Sequence, residues 1–87
     1  MRQVETGIPI RLLLFGPFRE MAGRGEMEIS VPPGSRVRDL VDQLRSAPPL
    51  DALPAAVAVA VNRRFAPPDR DLAAGDEVAL VPPVAGG

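Results

Sequence analysis

The amino-acid sequence predicts an α+β domain, a mixed sheet of four to five strands with one main helix packed on one face. Three patterns predict it. Val37, Leu40, Val41 and Leu44 recur at i, i+3, i+4 and i+7, one apolar stripe of an amphipathic helix. Residues 26–31 alternate, with Met27, Ile29 and Val31 one way and Glu28 and Ser30 the other, as in a strand covered on one face. Residues 8–15 and 77–81 are apolar on both faces over their later parts, which places them at the centre of a sheet.

Residues 1–7 are polar and read as a frayed lead-in to a domain over 8–81. The first strand, 8–15, opens with Pro9, which limits pairing there. It turns Ile10, Leu12 and Leu14 to one face and Arg11, Leu13 and Phe15 to the other. Gly16-Pro17 breaks it, and residues 18–22 suit one helical turn ended by Gly23. Gly23 and Gly25 give a loose hairpin connection to the alternating strand, which Pro32-Pro33-Gly34 stops. Ser35 is placed to cap the helix, since its hydroxyl can accept an orphan amide bond. Arg36, Arg38, Asp39, Asp42, Gln43 and Arg45 fill the wet face, and Pro48-Pro49 ends the helix. A connection over 50–56, with a turn at 50–53, leads to a strand over 57–62 that is β-branched at every second position. Arg63-Arg64 turns into a very short strand at Phe65-Ala66. Turns at 69–72, with Leu72 buried, and at 73–76 precede the last strand. Residues 82–87, Pro-Pro-Val-Ala-Gly-Gly, suit neither helix nor strand interior and read as an extended, exposed tail.

The order is β-β-α-β-(β)-β. First and last strands side by side at the centre make the ubiquitin-like β-grasp arrangement. One helix covers one sheet face. The other is left to expose Leu13, Phe15, Ala79 and Val81, with Phe65 joining them, and a contiguous apolar patch of that kind serves partner binding.

The side-chain inventory excludes most conventional chemistry. The chain of 87 residues has no Cys, His, Lys, Trp or Tyr; its ten basic residues are all Arg, against eleven acidic ones, for a net charge of -1. Without Cys and His there is no thiol nucleophile, no imidazole base and no thiolate or imidazole metal site. Without Lys there is no Schiff base. The hydroxyls of Thr6, Ser30, Ser35 and Ser46 have only carboxylates to activate them. The expectation is a chain that is not an enzyme by itself, with no metal and no stably bound cofactor. A charge near zero with scattered arginines argues against nucleic acid. No apolar run approaches the roughly 20 residues of a membrane span, and the polar start lacks a signal-peptide core, so a cytoplasmic location is expected.

What remains is the carboxylate of Gly87. At a pKa of about 3.3–3.7 such a group is ionised and unreactive until a partner activates it, for example as an acyl-adenylate. Gly86 and Gly87 lack Cβ atoms and can thread a narrow channel. Pro82 and Pro83 stiffen the tail, whose six residues reach at most about 20 Å.

Residues 8–87 resemble the MoaD/ThiS family of ubiquitin-like sulfur carriers. The resemblance is carried by Leu14-Phe15, by Phe18-Arg19-Glu20-Met21-Ala22-Gly23, by Val61-Asn62 and above all by Gly75-Asp76-Glu77-Val78-Ala79-Leu80-Val81-Pro82-Pro83-Val84-Ala85-Gly86-Gly87. The Pro-Pro-Val-x-Gly-Gly ending is closest to the branch that serves molybdopterin synthase. One departure is Arg63-Arg64 after Asn62, where the family often carries a Gly-containing turn.

The resemblance implies a mechanism. An E1-like adenylating enzyme of the MoeB type activates Gly87 with ATP and magnesium, and a sulfur donor protein converts the adenylate to a thiocarboxylate. The tail Pro82, Pro83, Val84, Ala85, Gly86 then enters the large molybdopterin synthase subunit (MoaE type), which holds the catalytic residues. There it delivers sulfur to cyclic pyranopterin monophosphate within a heterotetramer. Phe15, Phe65 and Val81, with Leu13, are the implied partner-binding centre. Two alternatives share the tail chemistry. One is a sulfur carrier for thiamin or cysteine synthesis. The other is a ubiquitin-like protein modifier, which without Lys would not form lysine-linked chains on itself.

Overall fold

The computed structural model describes residues 7–83. The elements are β1 (Ile8–Leu14), α1 (Gly16–Ala22), β2 (Glu26–Val31), α2 (Val37–Arg45), β3 (Ala58–Val61), β4 (Arg64–Phe65) and β5 (Glu77–Val81). They form a five-stranded sheet in the order β2-β1-β5-β3-β4. β1 and β5 are neighbours and parallel, and the other pairings are antiparallel. This is the β-grasp arrangement with the first and last strands at its centre, and the alternating strand β2 lies at one edge.

The core lies between the sheet and α2. Ile10, Leu12 and Leu14 of β1, Val59 and Val61 of β3, and Val78 and Leu80 of β5 all turn to the buried face. They meet the whole predicted stripe of α2, since Val37, Leu40, Val41 and Leu44 are all buried. A nine-residue helix is too short to persist alone, so packing holds it. Each of those side chains contributes about 1.5–3 kcal/mol by leaving water. Leu50, Leu53 and Leu72, from the irregular connections, close the ends of the same core.

Several local expectations are corrected. Ser35 does not cap α2. The helix starts one residue later, with Arg36 at its N-cap. The Ser35 hydroxyl donates to the Pro32 carbonyl at 2.7 Å and closes the preceding turn. The Arg36 N–H instead donates to the Asp39 carboxylate at 2.8 Å. The next two amides go to a loop: Val37 N–H to the Arg70 carbonyl at 3.0 Å and Arg38 N–H to the Pro68 carbonyl at 2.9 Å. Leu72 N–H returns to the Ser35 carbonyl at 2.9 Å, so the 68–72 loop satisfies the helix start by long-range pairing.

The single turn expected over 18–22 is a helix from Gly16 to Ala22. Pro17 starts it rather than merely ending β1, because a helix's first amides need no intrahelical partner. Gly23 ends it in the left-handed conformation, as expected. The β3–β4 turn is centred on Asn62 and Arg63, not on Arg63-Arg64. Both have positive φ, 51° and 73°, as a tight hairpin turn demands. The short strand is accordingly Arg64–Phe65, one residue earlier than expected.

Candidate docking face and tail root

Every second residue of the sheet points away from α2. The register aligns them in a row across four strands: Leu13 of β1 beside Ala79 of β5, Ala79 beside Ala60 of β3, and Ala60 beside Phe65 of β4. Val81 lies beside Ala58 one step nearer the tail. Small alanines at the middle and large side chains at both ends make a shallow apolar trough. Phe65 is 76% exposed and Phe15 49% exposed, and among the described residues these are the exposed large hydrophobic side chains. An aromatic ring left in water on a small domain is a candidate anchor for a partner.

The trough runs into the root of the tail. Pro54, Ala56, Val57, Phe65, Pro82 and Pro83 line a groove of about 440 Å³ together with Ala58 and Val81. Pro82 and Pro83 therefore leave the central strand β5 at the margin of the exposed face. On the other side of this root sits Gly16, at φ 53°, where a Cβ would stand 3.5 Å from the Pro82 ring. Val84, Ala85, Gly86 and Gly87 lie outside the described residues, as does the lead-in over 1–6.

The opposite end of the face is charged. Arg11 pairs with Glu26 at 2.6 Å and lies beside Glu28 and Glu77 in the sheet. The Glu26 hydrogen bond and charge hold the Arg11 proton more tightly than usual. Arg63 approaches Glu77 at 3.9 Å, with the Arg63 side chain in solvent. Such exposed pairs add little stability but give this end of the face its polarity.

Below the charged end is a cluster that sequence reasoning missed. The Asp76 carboxylate is buried. It accepts bonds from Ala73 N–H at 2.8 Å, the Asn62 amide at 3.0 Å and Arg70 at 3.4 Å. Burial pushes the Asp76 carboxyl up, but these hydrogen bonds and the Arg70 charge together outweigh it. The group is held below its ordinary value. Asn62 also accepts Glu77 N–H at 3.0 Å, and its own N–H donates to the Glu77 carbonyl at 2.7 Å. The arrangement pins the β3–β4 turn and with it the position of Phe65. Asn62 and Asp76 read in sequence as a turn residue and a strand opener. Only a tight Asn turn facing an Asp-initiated strand hints at the bond between them.

Of the expected site residues, then, Leu13, Phe65 and Val81 share the open face, Pro82 and Pro83 adjoin it, and Phe15, expected to end the first strand, stands exposed just beyond β1 as the N-cap of α1. Among the described residues, no helix is long and apolar enough to cross a membrane.

Known proteins are similar to this chain in sequence and fold. The chain is 42% identical over 82 residues to the molybdopterin synthase sulfur carrier subunit of Mycobacterium tuberculosis, covering 92% of this chain and 99% of that one. It is 37% identical over 81 residues to the Chlamydomonas reinhardtii protein of the same name, covering 90% and 98%. The crystal structure of small archaeal modifier protein 1 from Haloferax volcanii superposes with a TM-score of 0.78 at 30% identity, covering 90% of this chain and all of that one. Residues 12–87 match the ThiS family, and the chain belongs to it.

Proposed function

We propose that the chain is the sulfur carrier subunit of a molybdopterin synthase, with the carboxyl carbon of Gly87 as the group that carries sulfur. The observation that carries this reading is the junction of the open apolar face with the root of the tail at Val81, Pro82 and Pro83. A partner seated on Phe65, Phe15 and Val81 receives the chain end in one direction, paid out from the rigid central strand. The curated relatives of both organisms bear the corresponding name.

The chemistry divides between partners. An E1-like enzyme joins a Gly87 carboxylate oxygen to the α-phosphorus of ATP, with magnesium, and releases pyrophosphate. A donor protein then supplies sulfur as a hydrosulfide equivalent, which attacks the acyl carbon as AMP leaves, giving a thiocarboxylate. The large synthase subunit accepts the tail and supplies the catalytic residues for transfer of that sulfur to cyclic pyranopterin monophosphate. Two small and two large subunits make the working assembly, in the cytoplasm. This chain contributes the docking face, the stiff root and the carrier atom.

Intact mass after incubation with the E1-like enzyme, ATP and a sulfur source tests the reading. Exchange of one oxygen for one sulfur at Gly87 is expected. Adding the large subunit and the pterin precursor then returns the original mass and yields molybdopterin. An unchanged mass with an active E1-like enzyme overturns the carrier function. Attachment to lysines of other proteins, without pterin product, identifies a modifier instead.

A further inference from the structure

β4 is two residues long, so it pairs with only the end of β3. Beyond it, Ala66 N–H still donates to the Val59 carbonyl at 2.9 Å. Pro67 and Pro68 follow and have no N–H to offer. Backbone groups of a strand alternate between its neighbours. Just past β3 the Asn62 N–H bonds to the Glu77 carbonyl of β5, and on β3 the Val59 carbonyl faces the β4 side. Val57 is the next residue of the second set. Val57 itself lies just before β3; carried on to it, the alternation turns its N–H and C=O toward the line that β4 abandons, and they form no hydrogen bond among the described residues. Its side chain packs on the core, which fixes the strand's orientation there.

Beside this open edge lies a groove of about 330 Å³, between it and the first turns of α2. Val37, Val41, Val57 and Phe65 give it apolar walls, and Arg38 and Asp42 stand on its helix side. Neither charge has an ion-pair partner among the described residues. The groove shares Ala56, Val57, Ala58 and Phe65 with the one at the tail root. A partner docked on the open face therefore reaches this edge over continuous apolar surface.

We propose that the Val57 edge is a strand-addition site. An extended segment of the large synthase subunit takes the place β4 leaves free, exchanging backbone hydrogen bonds with Val57. It puts an apolar side chain into the groove and a carboxylate against Arg38. The identity of the partner rests on the carrier function proposed above; the strand geometry rests on Val57 and the groove.

Amide exchange, read by NMR on the labelled chain alone and with the purified large subunit, tests this. The Val57 amide is expected to exchange at least tenfold more slowly in the complex. Val57→Pro deletes the donor and is expected to raise the Kd tenfold or more, with a melting temperature showing that the variant folds. Arg38→Glu is expected to weaken the complex by a similar factor, more so at low salt. If Val57→Pro does not fold, the exchange of the wild-type amide decides alone. A complex that forms with the Val57 amide exchanging at its free rate overturns the strand site and leaves the carrier function standing. Failure of the wild-type chain to bind the large subunit overturns both.

Discussion

Asn62 and Asp76, fourteen residues apart, are joined amide to carboxylate at 3.0 Å. The bond links the left-handed turn that presents Phe65 to the start of the central strand that ends in the tail. Asp76 also holds Ala73 N–H and Arg70, so the residue closes three donors with one buried side chain. Asp76→Ala leaves those donors without an acceptor. It is expected to cost about 1–3 kcal/mol in urea unfolding at neutral pH.

The same carboxylate sets an acid limit. Its folded pKa lies below the ordinary value, so the unfolded state binds the proton more readily. The stabilisation is fully present above the unfolded pKa of about 3.9 and fades as pH falls through the lower folded value. Urea midpoints measured from pH 6 down to pH 2 are expected to fall more steeply for the wild type than for Asp76→Ala. Parallel curves would mean that Asp76 has no part in the acid transition.

Arg63 occupies a position that suits glycine. At φ 73° its Cβ crowds the backbone, which costs roughly 1–2 kcal/mol. Its ion pair with Glu77 is long and its side chain is 88% exposed, so little is lost with it. Arg63→Gly relieves the strain and forfeits up to about 1 kcal/mol of unfolded-chain entropy. A net gain of roughly 0.5–1 kcal/mol is expected by thermal or urea unfolding.

The architecture is legible in the sequence wherever burial is periodic. Val37, Leu40, Val41 and Leu44 give α2, and Met27, Ile29 and Val31 give β2 with its observed bounds, because each pattern reports a local geometry facing one core. What escapes is set by contacts distant in sequence. Ser35 looks like a cap, yet the Arg70 and Pro68 carbonyls arrive to satisfy the helix start. Arg63 takes the turn position that a Gly would announce, since Asn62 is tied to Asp76 and β4 pairs back on β3. The open face is legible for the opposite reason: with one long helix, nothing among the described residues covers Phe15 and Phe65, and Leu13 and Val81 stay half-buried. The Val57 edge is invisible in sequence because it depends on where β4 stops.

Phe65 separates docking from stability. At 76% exposed it supports almost nothing within the fold, so Phe65→Ala is expected to change unfolding free energy by less than about 0.5 kcal/mol. As the aromatic shared by both grooves, it is expected to contribute about 2 kcal/mol or more to partner binding. Calorimetric titration against the large subunit should show Kd raised tenfold or more, with the melting temperature unmoved. A large loss of stability would instead make Phe65 a structural residue.

Gly16 and Pro82 offer a test of the tail root. Gly16 sits at φ 53°, and an added Cβ meets the Pro82 ring at 3.5 Å, an ordinary contact. The backbone conformation, not lack of room, is then what Gly16→Ala disturbs, at roughly 1–2 kcal/mol. The variant is expected to lose that stability and still accept sulfur at the wild-type rate once folded. Deleting Gly86 and Gly87 is expected to do the reverse, with unfolding free energy within about 0.5 kcal/mol of wild type and no sulfur gained by intact mass. The two variants together part the fold from the chemistry. Stability is lost through the backbone at Gly16, and sulfur transfer through the residues after Pro83. Sulfur gain by the truncated chain would place the carrier atom elsewhere and overturn the function proposed for Gly87.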